Sequence, residues 1–167
     1  LTQFHVADSG AGIWIAGPSA SIELCTVTNT VRTGILFVGS PDRGELVVTR
    51  TIVRGATLAG LQLQNVDAEV TDSEFAGTQK TGESGNGISV LDSHLDATSC
   101  LLEANATNGI YIPHPSSATL RANTYRDNGV WGVLAVCGED GAQPEITDAG
   151  STYSGNGAGN DASVLCQ

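Results

Sequence analysis

The sequence contains no methionine, few aromatic residues and few basic residues. Its 167 residues include 7 Lys plus Arg against 18 Asp plus Glu, a formal net charge of -11, and 5% are aromatic. The summed negative charge repels polyanions, so neither nucleic acid nor an anionic membrane surface is expected as a partner. No apolar run approaches the roughly 18 residues that cross a bilayer, and no membrane span is predicted.

Sustained helical periodicity is also missing, whereas glycine is abundant, at 21 residues, and small and β-branched residues prevail. This composition is typical of turn-rich β structure. The length suits a single domain, which we take to extend over residues 1–167. The chain begins LTQFHVADSG, with neither a methionine nor a signal-peptide pattern, so we expect a segment of a larger protein.

An internal repeat runs through the chain. A glycine followed by apolar, any and apolar residues recurs at intervals of 22 to 27 residues, beginning at Gly12, Gly34, Gly60, Gly87, Gly109 and Gly132. Between these copies, other alternating segments lead to a large hydrophobe, so each repeat holds three short strands separated by polar turns. Because so small a unit cannot bury its apolar face alone, the repeats must stack into a solenoid.

The segment NGIYIPHPSSATLRANTYRDNGVWGV is similar to the repeat of right-handed parallel β-helices of the pectate-lyase-like superfamily. The resemblance extends over nearly the whole chain. It implies an all-β fold, a right-handed parallel β-helix solenoid of about six coils with three short strands per coil. The same coil serves lyases, hydrolases, epimerases, tailspikes and adhesins, so the fold alone does not identify a function.

The alternation predicts which side chains face the interior. On the first strand of each coil these are Ile13, Ile15, Ile35, Phe37, Leu61, Leu63, Ile88, Val90, Ile110, Ile112 and Val133. On the second strand they are Ile22, Leu24, Leu46, Val48, Val70, Leu95, Leu120 and Ile146. The large hydrophobes assigned to the third strand are Phe4, Val27, Ile52, Phe75, Leu101, Tyr125 and Tyr153.

Four cysteines are present, without the C-x-x-C spacing of zinc or redox sites. Aligning ASVLC with VLAVC one coil earlier places Cys166 beside Cys137, within the usual span of a disulfide. We therefore predict that these two residues are bonded. Cys25 and Cys100 lie about three coils apart, too far for a bridge, and are predicted to be free thiols.

Candidate catalytic residues are sparse. The outward positions of the first strands are uncharged, namely Trp14, Leu36, Gln62, Ser89, Tyr111 and Leu134. The charged residues that could act in a site are Lys80, Arg43, Arg126 and Asp127. The three histidines are dispersed and lack metal-ligand spacing. No cofactor or metal site is indicated, and Ca²⁺ stays possible without a motif that supports it.

Binding residues are predicted at outward aromatic side chains and at one long turn. Trp14, Tyr111 and Trp131 could stack on sugar rings or contact a protein. The turn from residue 76 to residue 86 lengthens its coil, so it must project beside the first strands. There it is expected to carry Lys80 and Glu83 toward the outward row.

Two classes of function remain open at this point. The first is a scaffold or binding module of a secreted or cell-surface protein, contacting glycans or a partner protein. Flanking domains or self-association through the open solenoid ends are compatible with it. The alternative is a polysaccharide-active enzyme, namely a lyase, hydrolase or epimerase. The lack of charge on the first-strand face favours the binding module.

Overall fold

Three parallel sheets form the walls of a solenoid in the computed structural model. The structure describes residues 1–39, 43–82 and 84–166, and only the backbone of residues 160 and 161. The first sheet contains β2 (Ile13–Gly17), β5 (Ile35–Gly39), β8 (Ala59–Gln64), β11 (Asn86–Leu91), β14 (Ile110–Pro113), β17 (Trp131–Val136) and β20 (Gly159–Leu165). The second contains β3 (Ser19–Glu23), β6 (Gly44–Thr49), β9 (Val66–Thr71), β12 (His94–Thr98), β15 (Ser117–Arg121) and β18 (Glu145–Ala149). The third contains β1 (His5–Ala7), β4 (Thr26–Thr28), β7 (Ile52–Arg54), β10 (Glu74–Ala76), β13 (Leu101–Glu103), β16 (Thr124–Arg126) and β19 (Thr152–Ser154).

The predicted parallel β-helix is therefore confirmed, with about six coils and one strand of each sheet per coil. Each strand pairs with the equivalent strand one coil away, as β5 does with β2 and β8. The described residues contain no helix that could cross a lipid bilayer.

The repeated glycine is required by the close stacking of the coils. A Cβ atom built on Gly34 would lie 2.7 Å from the carbonyl oxygen of Gly60, and one on Gly109 would lie 2.4 Å from that of Gly132. Real Cβ atoms do not approach carbonyl oxygens this closely. Any larger residue would thus push neighbouring coils apart, and this steric limit explains why glycine recurs at the equivalent position of successive coils.

The core runs as a continuous column between the sheets. The inward first-strand positions are buried as predicted, except that Ile15 is only partly covered. Ile146 is likewise partly buried and packs against the column. Asparagine side chains add a polar ladder, in which Asn105 Nδ2 donates to Asn128 Oδ1 (2.9 Å) and Asn128 Nδ2 to Asn156 Oδ1 (3.0 Å). These bonds tie successive turns together without exposing the amides.

Three of the large hydrophobes assigned to the third strand, Phe4, Ile52 and Leu101, lie one or two positions from the inward side chain. The inward side chains are Val6, Val53 and Leu102. Third-sheet strands are only three residues long, and the central residue alone points inward. Such a short alternation cannot distinguish the two faces from sequence, whereas pairing with Phe75 does so in the fold.

Leu24 is the remaining correction, because its side chain is 41% exposed rather than buried. It lies after β3, at a turn where its φ is 55°. The left-handed backbone ends the strand alternation there, so the side chain turns outward. Arg50, Asp72, Ser99 and Ala122 adopt the same conformation at the equivalent turns of the following coils.

The cysteine predictions are confirmed. Cys137 and Cys166 form a disulfide with a Cα–Cα distance of 4.9 Å, joining the ends of β17 and β20. Cys25 and Cys100 are buried and free. Burial raises the pKa of the Cys100 thiol to about 11, so it stays protonated and inert at neutral pH.

Candidate functional site

The outward side chains of the first sheet lie in a single row. Strand pairing aligns Trp14, Leu36, Gln62, Ser89, Tyr111 and Leu134 from coil to coil. With the roughly 4.8 Å spacing of paired strands, the row measures about 24 Å along the solenoid axis. This is the uncharged row predicted from the sequence, and it lines two adjoining grooves.

The Tyr111 groove, of about 550 Å³, covers the centre of the row. Its lining consists of Leu58, Ala59, Gln62, Lys80, Ser84, Asn86, Ser89, Leu91, Thr107, Asn108, Tyr111, Val130 and Leu134. Among these described residues there is no aspartate, glutamate or histidine. The lining therefore offers amides, hydroxyls, one ammonium group and one phenol ring, set among aliphatic side chains.

A buried hydrogen-bond network fixes the polar groups at the base of this groove. Thr107 Oγ1 and Asn108 Nδ2 both donate to Asn86 Oδ1, at 2.7 and 2.9 Å. Asn86 Nδ2 in turn donates to Ser89 Oγ at 3.2 Å. Because Ser89 accepts this bond, its hydroxyl proton is left to point elsewhere. The network thus orients Ser89 as a hydrogen-bond donor on the floor of the groove.

The long turn brings Lys80 to the edge of the Tyr111 groove. Both ends of the turn are anchored on the previous coil, since Gln79 N donates to Ala56 O (2.8 Å) and Gly85 N to Leu58 O (2.9 Å). Lys80 between them is exposed and lines the groove with Gln62, Ser89 and Tyr111. Glu83, predicted to accompany it, lies outside the described residues.

Trp14 lies in a second groove at the N-terminal part of the row. This Trp14 groove, of about 560 Å³, is lined by Gly10, Ala11, Gly12, Ile13, Trp14, Arg32, Thr33, Leu36, Leu58 and Gln62. It shares Leu58 and Gln62 with the Tyr111 groove, so the two are continuous. Trp14 is 74% exposed and presents nearly its whole ring to solvent.

Trp131, the third aromatic candidate, does not line either groove. It is half-buried, and a Cβ atom on Gly159 would lie 2.2 Å from its ring, so the ring rests directly over that glycine of the next coil. Its backbone N donates to Asn108 Oδ1 at 3.3 Å. Trp131 thus supports the orientation of Asn108 from outside the groove.

The four catalytic candidates do not converge. Arg43 Nε lies 2.7 Å from Asp67 Oδ1, beside the second sheet. Arg126 pairs with Glu103 on the third sheet and lies 3.7 Å from Asp127. Lys80 alone lies over the first sheet. The structure therefore separates these charges onto three faces, and no shared site contains them.

A smaller groove of about 240 Å³ lies on the second sheet, lined by Glu45, Leu46, Val47, Asp67, Ala68, Glu69, His94 and Asp96. His94 Nδ1 is 2.8 Å from Ser117 Oγ, and its Nε2 is 3.6 Å from Asp96 Oδ2. The second distance is too long for a hydrogen bond, so the three groups do not form a catalytic relay. In the part of the chain that the structure describes, no three His, Cys, Asp or Glu side chains are placed to hold a metal ion.

The sequence alone did not indicate that Asn86, Thr107 and Asn108 are site residues. A signal was present, because asparagine precedes the repeated glycine in two consecutive coils, as Asn86-Gly87 and Asn108-Gly109. In isolation each pair is typical of a turn. Only the stacking of the two coils shows that these amides meet beneath one groove.

Comparison with known proteins identifies the fold class. Residues 11–163 match the family model described as right handed beta helix region. Among solved structures, the crystal structure of the periplasmic alginate epimerase AlgG has a TM-score of 0.71 and 18% sequence identity to this chain. The match covers 97% of this chain and 47% of that one, so the chain spans about half the length of the epimerase. At this identity the likeness is one of fold. Among curated proteins none matches in sequence.

Proposed function

Because the chain belongs to the right-handed β-helix family, we propose that it is a glycan-binding module of a secreted or cell-surface protein. The polysaccharide occupies the Tyr111 groove and continues into the Trp14 groove, along the outward row of the first sheet. The observation that carries this proposal is the groove lining. It combines an aromatic ring with oriented amide and hydroxyl groups, and no described carboxylate or imidazole takes part.

The lining chemistry suits a sugar chain better than a protein helix or strand. Sugar rings have an apolar face, which stacks on aromatic side chains, and a rim of hydroxyls that both donate and accept hydrogen bonds. Tyr111 and Trp14 supply the flat surfaces, four coils apart and thus about 19 Å from each other. Gln62 and Ser89 between them supply donors and acceptors. A ligand that contacts both rings must therefore be an oligomer.

Secretion is supported by two observations. The disulfide between Cys137 and Cys166 is typical of proteins outside the reducing cytosol. The AlgG neighbour is described as periplasmic. Both favour an extracellular or periplasmic setting, where a β-helix would encounter polysaccharide.

An enzyme acting on the same ligand is the second candidate, because Lys80 and Tyr111 line one groove and can both transfer protons. A lyase or epimerase needs a base that removes a ring proton, which either group could supply. A glycoside hydrolase needs two carboxyl groups about 5 to 10 Å apart. No described lining residue carries one, so hydrolysis is the least favoured reaction.

The proposal is tested by titrating the protein with neutral and acidic polysaccharides in a calorimeter. We expect at least one to bind, and Tyr111→Ala to weaken its affinity about tenfold, the scale of a good ring contact. Thr119→Ala, outward on the second sheet of the same coil, should bind unchanged. Parallel assays follow unsaturated products and C5 inversion. Turnover lost in Lys80→Ala would favour the enzyme instead, and absence of both binding and turnover would refute both functions.

A further inference from the structure

The pairing of the basic residues singles out two of them. The chain has seven Lys and Arg residues. Five form ion pairs, namely Arg43 with Asp67, Arg50 with Glu23, Arg54 with Glu74, Arg121 with Asp96 and Arg126 with Glu103. Arg32 and Lys80 form no ion pair within residues 1–39, 43–82 and 84–166. These two cations are also the ones that line the grooves of the first sheet.

This distribution is the opposite of what the overall charge favours. With 18 acidic residues against 7 basic ones, a surface cation readily finds a carboxylate partner in this chain. Yet among the described lining residues of both grooves the charged side chains are Arg32 and Lys80 alone. The described lining of the grooves thus carries positive charge alone, on a protein whose net charge is -11. A neutral ligand would need no such charge.

Arg32 and Lys80 lie along the same edge of the first sheet. Thr57 N donates to Arg32 O at 3.0 Å, and Gln79 N donates to Ala56 O at 2.8 Å, so the turns that enter β5, β8 and β11 are stacked. Arg32 and Lys80 therefore lie two coils apart, or about 10 Å along the solenoid axis. Both side chains are exposed and can reach a ligand in the row beside them.

We infer that the glycan bound in these grooves is anionic, and that Lys80 and Arg32 each contact one of its acidic groups. The inference rests on the proposed glycan-binding function and adds the class of glycan. The sugar rings stack on Tyr111 and Trp14, while carboxylate or sulfate groups face the edge that carries the two cations. The guanidinium of Arg32 can hold either acid through two parallel hydrogen bonds, and the ammonium of Lys80 acts as a point charge.

The acidic remainder of the protein does not prevent this contact. At physiological ionic strength the Debye length is about 8 Å, so carboxylates on the second and third sheets are largely screened from the first-sheet row. The cations in the grooves act at contact distance, where screening is weak. Local charge therefore decides which ligand binds, and the net charge affects mainly how fast it approaches.

The decisive experiment compares one polymer with and without its charge. A (1→4)-linked polyuronate is titrated beside the same polymer after reduction of its carboxylates to primary alcohols. The variants are Lys80→Gln, Arg32→Gln and the double substitution. Arg50→Gln is the matched control, because it removes the same charge from an ion pair distant from the grooves. A sulfated neutral-sugar polymer and poly-glutamate test which acid and which backbone are recognised.

We expect the polyuronate or the sulfated polymer to bind at least tenfold tighter than the reduced polymer. This difference corresponds to the binding free energy of one charged contact, which the reduced polymer cannot make. Lys80→Gln and Arg32→Gln should each lower the affinity for the charged polymer about fivefold. The control Arg50→Gln should bind it with wild-type affinity. Equal affinity for charged and reduced polymers, with no effect of either substitution, would overturn the inference and leave glycan binding intact. Equal binding of poly-glutamate would overturn it as well. Binding of no polysaccharide at all would refute the proposed function itself.

Discussion

Tyr125 is the largest fully buried side chain of the described core, and its hydroxyl is the anomaly of that core. The ring stacks on Tyr153, with centroids 4.7 Å apart and an interplanar angle of 21°. Within the described residues, the Tyr125 hydroxyl makes no hydrogen bond of ordinary geometry. An unpartnered buried hydroxyl costs about 1 to 3 kcal/mol. The ring thus stabilises the core while its polar end weakens it.

Tyr125→Phe should therefore raise the free energy of unfolding by about 1 kcal/mol, because it removes the unpartnered oxygen and keeps the ring. Tyr153→Phe is the matched control. The Tyr153 hydroxyl donates to Asp148 Oδ2 at 2.5 Å, so this substitution should lower stability by a similar amount. Urea denaturation followed by circular dichroism measures both. A loss of stability in Tyr125→Phe would mean that the hydroxyl has a partner after all.

The stability of wild type and of Tyr125→Phe should depend differently on pH. Burial raises the pKa of Tyr125 well above its usual range, so the folded state keeps a proton that the unfolded state releases. The unfolded state then binds fewer protons, and stability falls as pH rises above about 10, the ordinary pKa of tyrosine. We expect wild type to lose more stability than Tyr125→Phe as the pH rises from neutral to above about 10. Equal losses in the two proteins would contradict the burial of the hydroxyl.

At the scale of elements, the turn between β10 and β11 has two parts with different roles. Its ends belong to the solenoid, because Thr78 Oγ1 lies 2.7 Å from Gly85 O and 2.8 Å from Asn105 Oδ1, with both acceptors in reach of its one hydroxyl proton. Thr78 is buried within this network. Residues 80–82, which follow the first anchor, are exposed and bring Lys80 to the groove. Structure and function are thus separable within a single turn.

Deletion of residues 80–84 should remove the functional part and keep the anchors. Joining Gln79 to Gly85 restores the 22-residue interval seen in other coils. Loop length costs only about 0.6 kcal/mol per doubling, so the melting temperature should change little. Affinity for the anionic glycan should fall at least as far as in Lys80→Gln. Differential scanning calorimetry measures the melting temperature, and titration measures the affinity. Unfolding of the shortened protein would show that residues 80–84 are needed for the fold, and unchanged binding would show that they do not contact the glycan.

At the scale of the whole molecule, a net charge of -11 surrounds a groove edge that carries two cations. The long-range field and the contact surface therefore have opposite signs. Their balance depends on ionic strength, because the Debye length is about 30 Å at 0.01 M and about 8 Å at 0.15 M. At low salt the charges of the whole protein act on an anionic polymer, whereas at higher salt mainly the charges of the groove do.

The association rate constant for a polyuronate should therefore rise several-fold when ionic strength increases from about 0.01 to about 0.15 M. Most steered complexes behave in the opposite way, so the sign of the slope is diagnostic. Stopped-flow or surface-binding kinetics measure it, and the carboxyl-reduced polymer serves as the control with no expected slope. Fastest association at the lowest salt would show that the groove cations, rather than the net charge, determine the approach.

The sequence by itself determined the solenoid, the inward first-strand column, the outward row and the disulfide. These features follow from the glycine interval and the two-residue alternation, both of which are local and repeated many times. The alternation was insufficient at Ile52 and Leu101, where strands are three residues long, and at Leu24, where a left-handed turn reverses the side chain. There only the pairing between coils decides which face is buried.

The site depended on tertiary structure to a greater degree. The sequence indicated Trp14, Tyr111 and Lys80 as binding residues, and the fold brings them beside one continuous pair of grooves. It could not reveal the amide network under Ser89, or that Arg32 and Lys80 lack the ion pairs that other cations form within the described chain. These are relations between residues in different coils, many positions apart in sequence. Such contacts exist only after the coils stack, because stacking alone sets which side chains share a wall and which charges meet.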